Sequence, residues 1–457
     1  MSDNPTDDKP VERTEGDVNL SDERRQWQDA HLDDATRALL DEDARYFLHQ
    51  SLSTPCLNAL SGAEGAELID TQGRRYLDFH GNSAHQVGYG HPAVIEAVIE
   101  QLRTLPFSPR RYTNRVAVDL ARKLAELSPG RLNKVLFAPG GTSAIGMALK
   151  LARVATGRFK TVSWWDSFHG ASLDAISIGG EALFRRGVGP LLPGAIHVPP
   201  PSSYRSSVTG NAPSPMESAE YVDYVMRHEG DVAAFIAEPI RCTTVEAPPV
   251  EYWRRIREIC DEHGALLIFD EIPIGLGRTG YMFACERFGV TPDILCLGKG
   301  LGGGVFPMAA MLAREDLDVA GHAALGHFTH EKSPVGAAAA LATIHVIERE
   351  GLLARSMELG DRLTTGLREI SNDISLIGDV RAFGALVGVE LVTDRTTKDP
   401  ASAAAEKVLY ECLSRGLSFK VSGGNVLTLA PPLTLTGEEL ERSLGILRAA
   451  LEAAAEQ

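Results

Sequence analysis

Residues 266–304 of the chain, LLIFDEIPIGLGRTGYMFACERFGVTPDILCLGKGLGGG, decide its fold. Two apolar runs in this stretch, 266–269 and 294–297, are each typical of a buried strand. Asp270 follows the first run, and Lys299 follows the second. Because the carboxyl ends of strands in an open α/β sheet face the ligand crevice, we expect these two side chains to lie at one site.

The glycine-rich segment around Lys299 fits neither of two common phosphate-binding motifs. Residues 298–304 formally satisfy GxGxxG, but the residues after them do not begin a helix, as a dinucleotide-binding motif requires. No Ser or Thr follows Lys299, which excludes a P-loop. Taken alone, Lys299 is either a solvated loop lysine or an amine between glycines that allow another molecule to approach closely.

A second glycine-rich segment is a candidate anion site. Gly140, Gly141 and Thr142 separate a predicted strand at 135–137 from a predicted helix at 144–155. Backbone N–H groups at such a helix N-terminus favour a phosphate, although a plain capped turn fits the same residues. Phe168, after a predicted strand at 161–165, lies either over a flat heterocycle or in the core. An amine, a carboxylate and an anion site together suit an aldehyde cofactor that carries a cationic ring nitrogen and a phosphate.

Apolar runs alternate with amphipathic stretches through the middle of the chain, which predicts an α/β fold with a mostly parallel sheet. Further predictions are a strand at 234–237, a helix at 250–263 that ends at Gly264, and a hairpin at 66–79. We expect a disordered acidic tail at 1–20 and a large domain at 80–345. Segments 21–79 and 346–457 should together form a smaller α+β domain.

Charge and composition disfavour several partners. The chain carries 61 acidic residues against 45 basic ones, a formal net charge of −16, which disfavours nucleic acid and anionic membranes as partners. The six cysteines form no CxxC pair, and no apolar run approaches the roughly 18 residues of a membrane helix. We expect a cytoplasmic protein in which local basic groups hold any anionic substrate.

The motif that begins at Asp270 resembles the signature of the class III aminotransferases, which are fold type I pyridoxal-phosphate enzymes. The resemblance covers roughly residues 50–450 and also rests on segments outside the motif, namely GHP at 90–92, AEP at 237–239 and PPL at 431–433. It implies a large domain with a mostly parallel seven-stranded sheet and a smaller α+β domain built from both chain ends.

This resemblance implies pyridoxal 5'-phosphate as the cofactor. It makes Lys299 the residue that binds the cofactor aldehyde and Asp270 the partner of the ring nitrogen, with Phe168 stacked on the ring. Both Lys299 and Asp270 are then catalytic.

The resemblance also implies a site shared between two subunits. Gly141 and Thr142 would hold the cofactor phosphate together with Thr329 of a second subunit. A homodimer is therefore the expected minimal active unit, with dimer or tetramer left open. Three histidines lie beside this expected phosphate loop, so we expect no metal site there: His322, His327 and His330.

Two positions depart from the family pattern. Most members carry an Arg three residues before the Pro-Pro-Leu motif, where it binds the carboxylate of the keto acid, and here that residue is Thr428. Many members also carry a Glu five residues after Glu238, which pairs with that Arg, and here that residue is Thr243. Since an aminotransferase binds two different substrates in turn, both replacements disfavour the second half-reaction.

Polar residues in two segments are candidates for binding an anionic substrate. The adjacent Arg110 and Arg111 suit a phosphate or phosphonate dianion, because guanidinium groups bind such oxygens in pairs. The segment HGNSAHQ, 80–86, supplies His80, Asn82 and His85. The arginines are otherwise surface charges, and the histidines are otherwise structural.

Three strings resemble one lyase branch of the family, the (R)-1-hydroxy-2-aminoethylphosphonate ammonia-lyases: FHGN at 79–82, PFSPRRYTN at 106–114 and PGGTSA at 139–144. This branch implies an ammonia-lyase of phosphonate degradation that converts its small anionic amino alcohol to phosphonoacetaldehyde and ammonia. Two alternatives stay open. One is an ω-aminotransferase that passes the amino group of a small amine or ω-amino acid to pyruvate or 2-oxoglutarate. The other is a cofactor-binding protein without catalysis, which the presence of Lys299 and Asp270 disfavours.

Overall fold

The computed structural model describes residues 21–202, 204–205 and 214–456. The tail predicted at 1–20 lies outside these residues. The helices, in chain order, are α1 Asp22–His31, α2 Asp34–Tyr46, α3 Pro92–Thr104, α4 Arg115–Leu127, α5 Gly141–Thr156, α6 Leu173–Ile178, α7 Ala182–Arg185, α8 Pro215–Glu229, α9 Val250–His263, α10 Pro334–Arg349, α11 Leu352–Asp373, α12 Ser402–Ser414 and α13 Gly437–Ala455.

The strands, in chain order, are β1 Leu60–Glu64, β2 Glu67–Asp70, β3 Arg75–Asp78, β4 Lys134–Ala138, β5 Lys160–Trp164, β6 Ala195–Val198, β7 Val232–Ala237, β8 Leu266–Asp270, β9 Ile294–Leu297, β10 Ala309–Ala313, β11 Ile377–Phe383, β12 Leu386–Leu391, β13 Leu417–Ser418, β14 Lys420–Ser422 and β15 Val426–Leu429. Local signals explain many of the boundaries. Asn114 caps α4 by accepting from Ala117 N at 2.9 Å, and Gly264 ends α9 in the left-handed conformation.

The central sheet has seven strands in the order β4-β10-β9-β8-β7-β5-β6. Strand β10 runs antiparallel to both neighbours, and the other pairings are parallel. Strands β7, β8 and β9 are buried along their whole length, as expected for a sheet covered by helices on both faces. The predicted α/β fold with a mostly parallel seven-stranded sheet is confirmed.

Two smaller sheets flank the central one, in the orders β1-β2-β3-β13 and β11-β12-β15-β14. Strand β13 lies parallel to β3, with Leu417 opposite Leu77, so the two ends of the chain share a sheet. The division into segments 21–79, 80–345 and 346–457 remains our proposal, and this distribution of sheets supports it. None of the described helices has both the length and the apolar character needed to cross a membrane.

Candidate active site

A cavity of about 510 Å³ lies where the central strands end at their carboxyl edge. Strands β8 and β9 are parallel neighbours, with Asp270 opposite Cys296, so Asp270 and Lys299 reach the same edge. The residues predicted from the sequence that line the cavity are Lys299, Asp270, Gly141, Thr142, Phe168, His80 and Asn82. The structure therefore brings the amine, the carboxylate and the anion site to one place.

Asp270 is buried and is held by a histidine. Its Oδ2 accepts a hydrogen bond from His169 Nδ1 at 2.8 Å, and its Oδ1 accepts from Ile272 N at 3.1 Å. The other ring nitrogen of His169, Nε2, has no hydrogen-bond partner within the described part of the chain. Sequence reasoning missed His169, because its contact with Asp270 depends on tertiary structure.

A second carboxyl group lies beside Asp270. Burial raises the pKa of Glu238, and the negative charge of Asp270 raises it further. Two neighbouring carboxyl groups in a buried site would be stabilised by a cationic group placed between the cavity and Asp270. The protonated ring nitrogen of a bound heterocycle would be such a cationic group.

The backbone at Lys299 is unusual for a residue with a side chain. Its φ of 44° lies in the left-handed region, which costs free energy in a non-glycine residue and is often found at functional sites. The next residue is glycine, and a Cβ on Gly300 would lie 2.0 Å from Gln86 Oε1, so a larger residue there would require the Gln86 side chain to shift. Lys299 itself is exposed to the cavity, while the residues on both sides of it are buried.

The N-terminus of α5 can hold a phosphate. Its N-cap residue is Gly140, and among the described residues no side chain caps this end. The first backbone N–H groups of a helix have no partner within the helix, so they are available to an anion. Thr142 packs against a second glycine, because a Cβ on Gly170 would lie 2.1 Å from Thr142 Oγ1. These residues can hold a flat, phosphorylated heterocycle.

A tight turn presents His80 and Asn82 to the cavity. Three consecutive residues in this turn have positive φ: Gly81 at 45°, Asn82 at 46° and Ser83 at 58°. Asp78 at the end of β3 holds the turn by accepting from His80 N at 3.0 Å and from Gly81 N at 2.9 Å. Backbone strain of this kind persists only where the surrounding structure enforces it.

His85 lies behind this turn rather than on the cavity wall. Its Nε2 donates to the Asp78 carbonyl at 3.0 Å, and its ring fills the space that a Cβ on Gly81 would need. Burial lowers the pKa of His85 to about 4, so its imidazole is neutral near pH 7. Burial and the charge of Lys420 also lower the pKa of His80.

The two positions that depart from the family pattern are in direct contact. Thr428 Oγ1 donates to the carbonyl of Thr243 at 2.6 Å and lies 3.0 Å from Ser422 Oγ. Both threonines line the cavity, and so does Lys420. Sequence reasoning missed Lys420, because its position depends on how β14 pairs with β15.

The predicted residues Arg110, Arg111 and Thr329 are exposed and lie outside this cavity. Their two segments lie side by side on the surface. The ring centroids of Phe107 and His330 are 5.1 Å apart, and Asn114 Nδ2 donates to Lys332 O at 3.0 Å. A second subunit that received Thr329 would therefore also lie near the two arginines.

No group of three or more His, Cys, Asp or Glu side chains suited to a metal occurs in the parts of the chain that the structure describes. The three histidines between 322 and 330 accordingly form no such group there.

Comparisons with known proteins agree with this geometry. The profile of the family described as Aminotransferase class-III matches residues 49–451. The chain is 52% identical over 454 residues to (R)-1-hydroxy-2-aminoethylphosphonate ammonia-lyase of Vibrio splendidus (strain 12B01), covering 96% of this chain and 95% of that protein. It is 33% identical to isoleucine 2-epimerase of Lentilactobacillus buchneri, covering 91% of this chain and 94% of that protein.

Solved structures have the same architecture. The omega transaminase from Pseudomonas jessenii in complex with PMP superposes with a TM-score of 0.85 at 29% identity, covering 92% of this chain and 98% of that one. The profile match spans most of the chain, and the relatives align over nearly their whole length. The chain therefore belongs to the class III aminotransferase family.

Proposed function

We propose that the chain is a pyridoxal-phosphate-dependent ammonia-lyase that converts (R)-1-hydroxy-2-aminoethylphosphonate to phosphonoacetaldehyde and ammonia. The observation that carries this proposal is the hydrogen bond from Thr428 to Thr243 on the cavity wall. The 52% identity to a protein of that name supports the choice of substrate.

The Thr428–Thr243 contact disfavours transamination for an electrostatic reason. An aminotransferase must bind a keto acid after the first substrate has left, and a guanidinium group suits that carboxylate because it donates two hydrogen bonds in one plane. Here the Thr428 hydroxyl donates to a backbone carbonyl instead and carries no charge. The cavity wall therefore offers the keto acid no cation at this position.

The proposed cofactor is pyridoxal 5'-phosphate. Lys299 would bind its aldehyde, Asp270 its ring nitrogen and Phe168 its ring face. Gly141 and Thr142 would hold its phosphate with Thr329 of a second subunit. When bound, this cofactor would withdraw electrons from the carbon that carries the substrate's amino group.

The side chains of the cavity then perform an elimination. The amine of Lys299, freed when the substrate's amino group takes its place, would remove a proton from the carbon that carries nitrogen, and the neighbouring carbon would lose its hydroxyl group as water. The lowered pKa of His80 leaves its imidazole neutral, so we propose Lys299 as the donor that returns the proton to the departing hydroxyl. The product is an unsaturated amine, which tautomerises and is hydrolysed to phosphonoacetaldehyde and ammonia.

The proposed active unit is a homodimer, with dimer or tetramer open. In such a dimer Arg110 and Arg111 of one subunit would be presented to the cavity of the other, as would Thr329. His85 would support the turn that carries His80 and Asn82. We also propose a reducing compartment such as the cytoplasm, because all six cysteines are free thiols.

The second candidate is an ω-aminotransferase, which the likeness to the Pseudomonas jessenii structure favours. Incubation of the holoenzyme with (R)-1-hydroxy-2-aminoethylphosphonate alone separates the two. The lyase releases ammonia continuously without a keto acid. Turnover that requires pyruvate or 2-oxoglutarate and yields alanine or glutamate would assign the aminotransferase.

A further inference from the structure

A second cavity adjoins the active site across one short segment of the chain. It has a volume of about 730 Å³ and shares no lining residue with the first cavity. Cys242 and Thr243 line the first cavity, whereas Arg241 and Thr244 line the second. The segment is fixed by a bridge in which Arg241 N donates to Glu246 O at 2.7 Å. The two cavities are therefore separate sites with a common wall.

Arginines outnumber carboxyl groups on the wall of this second cavity. Arg381 pairs with Glu390 at 2.8 Å, which balances one charge of each sign. A local excess of positive charge attracts anions, in contrast to the chain as a whole, whose net charge is −16. The basic and acidic residues of the wall are Arg185, Arg186, Arg205, Arg241 and Arg381, and Asp166, Glu246 and Glu390.

Arg241 is a buried cation with an unused donor. Only 8% of it is exposed, and its Nη2 donates to the carbonyl of Asp166 at 2.5 Å. Its Nε has no hydrogen-bond partner among the described residues. The charge of Arg241 lowers the pKa of Glu238 in the active-site wall, but no ion pair joins these two residues in the described part of the chain. A buried guanidinium group without a paired carboxylate is stabilised by an anionic partner.

Arg185 is a second cation that lacks an acceptor. Its guanidinium group lies over the ring of Trp165, 5.2 Å from the ring centroid, and burial lowers its pKa. Its Nη1 lies 3.4 Å from His197 Nε2, but that nitrogen donates to the carbonyl of Gly179 at 3.0 Å. Burial and the charge of Arg185 lower the pKa of His197 to about 4, so the imidazole is neutral near pH 7. Its Nε2 then carries the one ring hydrogen and cannot accept a hydrogen bond from Arg185.

One turn in the cavity wall holds both guanidinium groups at adjacent residues. Arg241 is hydrogen-bonded to Asp166, and Arg185 lies over Trp165. Asp166 has a φ of 65°, a left-handed conformation that costs free energy in a non-glycine residue and often occurs at functional sites. Gly180 allows the turn to pack closely, because a Cβ there would lie 2.4 Å from Asp166 N.

We propose that the second cavity binds a small phosphate or phosphonate dianion through Arg185 and Arg241. Such a ligand supplies the acceptors that the two guanidinium groups lack, because each group can donate two hydrogen bonds to its oxygens. The two positive charges match the charge of a dianion, which a monocarboxylate does not carry. This site is separate from the proposed reaction, and binding there requires no turnover.

The fluorescence of Trp165 reports on this cavity. Trp165 is 45% exposed and lines the cavity, whereas the other three tryptophans are at most 4% exposed. Inorganic phosphate, added to the full-length holoenzyme at constant ionic strength, should change the tryptophan emission in a saturable way. Trp165→Phe should abolish this change and retain the heat of binding that calorimetry measures.

Variants of the two arginines test their roles. Arg185→Gln and Arg241→Gln each remove one cation and should each weaken phosphate binding by at least about 10-fold, the scale of one charge-assisted hydrogen bond. The matched control is Arg448→Gln on α13, whose arginine pairs with Asp373 on the surface and which should bind as wild type does. If circular dichroism shows that Arg241→Gln is unfolded, Arg185→Gln decides the test.

The same titration with methylphosphonate distinguishes two sources of the ligand. Tighter binding of methylphosphonate would indicate a phosphonate, such as the substrate or product of the proposed reaction. Tighter binding of inorganic phosphate would indicate free phosphate or a phosphate ester, and either result supports the site. Absence of saturable binding, or equal phosphate affinity in wild type and in folded Arg185→Gln, would overturn the proposal.

Discussion

The hydrogen bond between His169 and Asp270 defines the chemistry of the site at the scale of single residues. Asp270 is buried, and hydrogen-bond donors surround its carboxylate. His169 Nδ1 supplies one of these donors at 2.8 Å and fixes the direction of the carboxylate. We therefore propose His169 as a positioning residue that would act on the proposed cofactor through Asp270.

Substitutions at these two residues should separate their roles. Asp270→Asn should keep the fold and lower kcat by at least about 100-fold, because the charge opposite the ring nitrogen is lost in a dry site. His169→Leu should lower kcat by about 10-fold, and His169→Asn, which retains a donor near Nδ1, should restore much of it. Steady-state kinetics check this series. Near-normal rates in Asp270→Asn would show that Asp270 is not the partner of the ring nitrogen.

The identity of the cofactor-binding lysine has a direct chemical test. Reduction of the purified holoenzyme with borohydride should attach the cofactor irreversibly to Lys299, and peptide mass spectrometry locates the added mass. Lys299→Ala should retain the fold and lose turnover, because both the attachment point and the proposed base are removed. Recovery of the label on another lysine would refute this assignment.

At the scale of elements, the turn after β3 carries the strain of the site. Gly81 lies in the left-handed region, and a Cβ there would lie 2.2 Å from the His85 ring. Gly65 is also left-handed, at φ 58°, but a Cβ there would meet nothing within 4 Å. The two glycines therefore differ in crowding and share the same backbone requirement.

Gly81→Ala and Gly65→Ala form a matched pair. Gly65→Ala should cost about 1–2 kcal/mol of unfolding free energy through its backbone alone. Gly81→Ala should cost about 1–3 kcal/mol more, since the His85 ring must move, and should raise KM because Asn82 moves with the turn. Denaturant titration and kinetics measure both effects. Equal costs for the two variants would mean that His85 does not support the turn.

His85 also makes stability depend on pH. Its pKa is about 4 in the fold, lowered by burial and by Arg278 against the opposing influence of Asp78, whereas its ordinary value is 6.5. As pH falls from about 6.5 to 4, the unfolded chain binds a proton that the folded chain does not, so stability is lost with a slope of at most about 1.4 kcal/mol per pH unit.

Comparison with His85→Gln isolates this contribution, because other titrating groups such as His197 are present in both proteins. The stability advantage of wild type over the variant should shrink by about 2–3 kcal/mol between pH 7 and pH 4.5. Denaturant titrations across this range measure the difference. A constant difference would show that His85 titrates normally in the folded protein.

Elements set by local sequence were predictable, and those set by distant pairing were not. The helix predicted at 250–263 agrees with α9, because its periodicity and Gly264 are local signals. Strands β13 and β14 have two and three residues, too few for any pattern, and are fixed by partners elsewhere in the chain. The position of Lys420 depends on that pairing, so it could not be predicted, whereas Asp270 ends the buried strand β8 and Lys299 lies just after the buried strand β9, both of which are apolar runs in the sequence.

At the scale of the whole molecule, we propose that the site is complete only in a dimer. Arg110, Arg111 and Thr329 lie outside the cavity of their own chain, on two segments joined by the contact between Phe107 and His330. One surface thus carries all three residues that the resemblance and the charge pattern assign to the site. In the proposed dimer, the roles of all three would depend on a second subunit.

Mixed dimers test this arrangement. Lys299→Ala and the double variant Arg110→Met/Arg111→Met should each be impaired alone, and co-expression should restore activity, because each mixed dimer contains one site with both Lys299 and the arginines of the other subunit. Assay of purified mixed dimers that carry two different tags checks this. Absence of recovery would place the arginines in the same subunit as the lysine they serve, or outside the site.

The fate of the substrate's hydroxyl oxygen tests elimination most directly. The holoenzyme is given (R)-1-hydroxy-2-aminoethylphosphonate labelled with ¹⁸O in its hydroxyl group, and the products are analysed by mass spectrometry and ³¹P NMR. Elimination predicts that the label leaves as water and that phosphonoacetaldehyde forms with an equal amount of ammonia. A phosphonate product that retains its hydroxyl group and the ¹⁸O label would contradict the lyase and show that only the amino group had been removed.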